Sequence, residues 1–87
     1  MFKTNKENEF EILKNRIKNW LNIANWQIKR IIWLPKMQQI KYKHSPDWFK
    51  KIYKNITIKF EIALKQHDLH KLKEVDKLLN NLIKLTK

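Results

Sequence analysis

From Phe10 to Ile31 the apolar side chains fall at Phe10, Leu13, Ile17, Trp20 with Leu21, Ala24, Ile28 and Ile31. Spacings of three and four wind these residues onto one face of an α-helix. Upstream, Thr4-Asn5-Lys6-Glu7 has the spacing of a capping box, in which Thr4 accepts from the amide three residues on and Glu7 reaches back to the cap. Downstream, Pro35 disfavours helical backbone at the residue before it. The sequence therefore predicts a first helix over about residues 5–33.

Ser45-Pro46-Asp47 is the clearest helix start in the chain. Serine caps, proline loses nothing at the first helical position, and aspartate sits at the positive end of the helix dipole. Phe49, Tyr53, Ile56, Phe60, Ala63 and His67 then continue the helical period, giving a helix over about 46–66. The chain has no glycine to end it. His67 takes that role in this reading, because histidine tolerates the left-handed conformation better than most residues. Asp68 then caps a third helix over about 69–85, with Leu72, Val75, Leu79 and Leu82 on its face and Leu69 and Ile83 at the edges.

So short a turn makes the second and third helices antiparallel neighbours. The predicted fold is all-α: one small basic three-helix domain over residues 1–87, its long N-terminal helix packed on an antiparallel helical hairpin and joined to it by a connection at 34–45. An α+β alternative has WQIKRIIWL and MQQIKYKH pairing across the Pro-Lys step as a short hairpin at 26–44, with Ile40, Tyr42 and His44 alternating. It ranks second because positions 28 and 31 continue the helical face and an isolated hairpin is marginal in water.

Folding a chain of 87 residues buries about 60 to 65% of its unfolded surface, so the core is thin. There is no cysteine, which excludes disulfides, thiolate metal sites and cysteine catalysis. The longest apolar run is IIWL at 31–34, far short of a membrane span, and the first eleven residues contain three glutamates and no signal-like apolar stretch. The expected location is the cytoplasm or an organelle interior, neither secreted nor transmembrane.

Lysine, asparagine and isoleucine fill 39 of 87 positions, as an AT-rich genome would favour, so the lysine count alone says little. Its distribution says more. Residues 1–15 carry Lys3, Lys6 and Lys14 against Glu7, Glu9 and Glu11, and residues 61–87 carry six lysines against four acids. Residues 16–60 carry eleven cations, Arg16, Lys18, Lys29, Arg30, Lys36, Lys41, Lys43, Lys50, Lys51, Lys54 and Lys59, against Asp47 alone. All four tryptophans and both tyrosines lie in the same segment. Codon bias cannot concentrate charge in the middle of one chain.

Trp20 falls on the core face, whereas Trp26 and Trp33 fall almost opposite it, with Arg30 between them. Cations neutralise phosphates by releasing counterions, and aromatic faces stack on unpaired bases, so interleaving the two suits RNA or another nucleic acid. The expected phosphate contacts are Arg16, Lys29, Arg30, Lys36, Lys41, Lys43, Lys50, Lys51 and Lys54, with Trp26 and Trp33 stacking or docking. On this reading the chain is a non-enzymatic RNA-binding or ribonucleoprotein subunit that tracks backbone and shape. The alternative is a protein-protein interaction adaptor presenting Trp26, Arg30 and Trp33 to a partner protein. A membrane surface is the less expected partner, since the first helix already spends a full apolar face on the core.

Catalytic chemistry has little to work with. Without glycine there is no phosphate-cradling loop, and the only serine, Ser45, is explained as a cap. His67, His70 and Glu74 have helical spacing but lack a thiolate or a third histidine, and the N-terminal glutamates suit a helix dipole. The expectation is no enzyme, no metal, no cofactor and no small-molecule substrate.

Overall fold

The computed structural model describes the backbone of residues 5–86 and the side chains of residues 8–86. Among the described residues four helices follow in order: α1 (Asn5–Trp33), α2 (Lys36–Gln39), α3 (Pro46–Gln66) and α4 (Leu69–Leu85). No strand occurs among the described residues, so the hairpin alternative at 26–44 is not formed. The reason is local. Ile28 and Ile31 are buried on the helical face, and the carbonyls of Ile31 and Leu34 accept from the Gln39 side-chain amide at 3.1 and 2.8 Å, which satisfies the end of α1 without a strand partner. The connection at 34–45 contains a short helix, α2, too brief to show a periodic pattern in the sequence. The capping box at Thr4 and Glu7 lies outside the described residues.

The other caps form as the residue types dictate. Ser45 Oγ accepts from the Trp48 amide at 3.2 Å and Asp68 Oδ1 accepts from the Lys71 amide at 3.3 Å. Between α3 and α4, His67 has φ 50 and ψ 44, the left-handed region. Its amide donates to Leu64 O at 3.2 Å and the Asp68 amide donates to Ala63 O at 3.1 Å, the paired bonds of a Schellman motif. Its ring stacks on Phe10 at 3.9 Å between centroids, so the turn of the hairpin also holds the start of α1.

All three long helices share one core. Phe10, Ile17, Leu21, Ala24, Ile28 and Ile31 of α1 meet Phe49, Ile56, Phe60 and Ala63 of α3 and Leu72, Val75, Leu79, Leu82 and Ile83 of α4. Trp20, Leu13 and Tyr53 are half-buried against it. Helix α4 packs on both of the others, most extensively on α1, while α1 and α3 touch less. The molecule is elongated, 56 × 18 × 15 Å, because the 29 residues of α1 run most of its length.

Two polar contacts between α1 and α4 lie outside the apolar period. Arg16 Nε stands 3.5 Å from Asp76 Oδ1, and the hydroxyl of buried Thr86, with one proton to give, lies within hydrogen-bond reach of both Gln27 Oε1 and Ile83 O, the latter at 2.8 Å. With Phe10 at His67 and Gln27 at Thr86, α1 and α4 run in the same direction and α3 returns between their ends. That path brings the N-terminus of α3 to the same end of the molecule as the C-terminus of α1.

Candidate nucleic-acid interface on the basic end

The outer face of α1 forms because its apolar residues fall into two sets. One set closes the core; the other, Ile12, Ile23, Trp26 and Trp33, is turned away from it, and the two tryptophans stay 68% and 87% exposed. Their seven-residue separation places the indoles about 10 Å apart along the axis, with Arg30 between. Trp26, Lys29, Arg30, Trp33 and Leu34 line an open concavity of about 490 Å³. Trp26 and Arg30 also border a second one, of about 390 Å³, with Asn19, Asn22, Ile23 and Gln27. The two share Trp26 and Arg30 on the outer face of α1.

Cations continue from this face through the connection into α3. Lys36 opens α2, and Lys41, Lys43, Lys50, Lys51 and Lys54 are exposed. Lys41 Nζ lies 5.3 Å from the centre of the Tyr42 ring, a cation-π contact. The concavities along the Trp26–Trp33 ridge are lined by residues of α1 and by Leu34, and the α3 lysines lie at the same end of the molecule.

Arg16 is set apart from the rest. It lies fourteen residues before Arg30 on α1, about 21 Å along the axis, and faces Asp76 of α4. Asp76 Oδ1 is shut off from solvent without a hydrogen-bond donor, so the guanidinium beside it is the charge that compensates it.

Further residues belong to this end. His44 and Trp48 stack at 3.6 Å between centroids and 15° between planes, and Trp48, His44 and Tyr42 all meet Phe49 edge-on. The four-residue spacing of His44 and Trp48 in KYKHSPDW was the available signal. Met37 and Ile40 are 85% and 79% exposed on and after α2. Nothing periodic marks them, because α2 is only one turn long.

Among the described residues no three His, Asp or Glu side chains stand close enough to share a metal ion. His70 Nε2 lies 3.4 Å from Glu74 Oε1 on the exposed side of α4, and His67 faces Phe10 instead. No helix of the described residues is long and apolar enough to cross a membrane.

Fold and surface together define a small all-α bundle with a basic, tryptophan-bearing end. No family model, no curated protein and no solved structure matches the chain.

Proposed function

We propose that the chain is a non-enzymatic RNA-binding or ribonucleoprotein subunit, with its interface on the outer face of α1 and the cations that follow it. The observation that carries this reading is that two exposed tryptophans and two cations, Trp26, Trp33, Lys29 and Arg30, line one concavity in a stretch from 12 to 46 that contains no acid. An unpaired base stacks on an indole while its phosphate meets an adjacent cation, and both groups are supplied here on a rigid helix. Lys36, Lys41, Lys43, Lys50, Lys51 and Lys54 extend the positive field along the RNA, contributing affinity with little sequence preference. Arg16 is withheld by Asp76 and takes a minor part. No residue is assigned a catalytic role. The setting is the cytoplasm or an organelle interior, where RNA and no disulfide chemistry is required.

Replacing both indoles tests the reading directly. W26A/W33A lowers affinity for a single-stranded RNA by at least about tenfold, since each lost stack is worth about 1–3 kcal/mol. Unchanged affinity refutes stacking on this ridge.

The adaptor reading has its own support in the exposure of the same two tryptophans, since Trp and Arg are the residues that dominate protein interfaces. A W26A/R30A/W33A variant that loses a partner protein while binding RNA normally would favour it.

A further inference from the structure

The core accounts for one apolar face of α1, but four large apolar side chains stand outside it near one end of the molecule. Trp26 and Trp33 lie on the last turns of α1, and Met37 and Ile40 lie on and after α2, each more exposed than buried. Their placement is fixed. Gln39 Nε2 bonds the carbonyls of Ile31 and Leu34, tying α2 to the end of α1 and leaving Met37 and Ile40 on the outside. Helix α1 also continues six residues, about 9 Å, past Gln27, where Thr86 at the end of α4 makes its contact.

Around these side chains the charge has one sign. Lys29, Arg30, Lys36, Lys41 and Lys43 are all exposed, and no acid occurs between Glu11 and Asp47. A second copy of the chain would set like charges against one another. RNA uses the cations and the indoles, but Met37 and Ile40 offer it neither a flat π face nor a charge. An anionic bilayer uses every group present: indoles at headgroup depth, Met37 and Ile40 at the acyl boundary, and lysines on the lipid phosphates and carboxylates. It also requires no groove of matching shape.

We infer that this end, Trp26 to Lys43, docks on an anionic lipid surface, with Trp33, Met37 and Ile40 as the inserted side chains. The dock is peripheral, and the body of the bundle stays in water. It shares Trp33 and the cations with the proposed RNA interface, but Met37 and Ile40 belong to the lipid dock alone, so those two side chains separate the functions by mutation.

The test is co-sedimentation of the full chain with phosphatidylcholine vesicles and with vesicles in which about a third of the lipid is phosphatidylserine. The wild type is expected in the pellet only with the anionic vesicles, with its tryptophan emission shifted to the blue. M37S/I40S is expected to lower the partition coefficient by about tenfold or more, since buried methylenes carry the insertion. Its melting temperature and RNA affinity stay at the wild-type values, which shows that the variant is folded and that RNA binding does not depend on insertion. No sedimentation of the wild type with anionic vesicles overturns the inference and leaves the proposed RNA interface untouched. Equal sedimentation of wild type and M37S/I40S overturns it too, reducing the effect to adsorption of a basic protein.

Discussion

Arg16 belongs by charge to the basic segment and by geometry to the fold, and replacing it separates the two. In R16Q the Asp76 carboxylate loses the guanidinium 3.5 Å away while its Oδ1 stays shut off from water. Coulomb's law at that distance gives about 1 kcal/mol in bulk water and about 5 kcal/mol at an effective dielectric constant of 20. The Arg16 side chain is 53% exposed, which places the pair near the weaker limit. A coupling of about 1 kcal/mol is expected, equivalent to a melting shift of about 4–8 °C in a domain of this size. The assay is a double-mutant cycle of R16Q, D76N and the double variant by urea denaturation, with each protein also titrated against RNA. R16Q should destabilise clearly, R16Q/D76N should recover part of the loss, and the salt dependence of RNA binding should hardly change. Zero coupling, together with a salt slope smaller by about 0.7–0.9, would refute the reasoning and return Arg16 to the phosphate surface.

Other substitutions probe the frame that carries the site. L79A removes a fully buried side chain and should cost about 2–5 kcal/mol, a large part of the stability of a small domain, read as a fall in the urea midpoint. S45A loses the cap on the Trp48 amide and should cost about 1 kcal/mol in the same measurement. At the Schellman turn, H67N keeps a residue that tolerates the left-handed region but loses the stack on Phe10, so it should cost about 0.5–1.5 kcal/mol. H67G relieves the backbone as well and should be more stable than H67N; the reverse order would contradict the turn assignment.

What could be read beforehand was whatever is local in the chain. Both ends of α3 and the start of α4 follow from Ser45-Pro46, His67 and Asp68, residues whose preferences act within one turn, and the core faces follow from spacings of three and four. The same logic separated Trp20, which packs, from Trp26 and Trp33, which do not. Contacts between distant positions left no such trace. Arg16 meets Asp76 and Gln27 meets Thr86 only because α1 and α4 run side by side, a fact of packing that no window of sequence contains. Helix α2 was equally silent: four residues are too few to show a period, and its anchor is a single glutamine side chain. Hence Met37 and Ile40 became visible as exposed apolar residues only in three dimensions.

The central claim, that the basic tryptophan-bearing end neutralises RNA phosphates, is tested most directly by titrating the full chain with a single-stranded RNA at several salt concentrations. With about five phosphates neutralised, log affinity should fall against log salt with a slope between about -3.5 and -4.5. A flat salt dependence, or no binding at low salt, would contradict it.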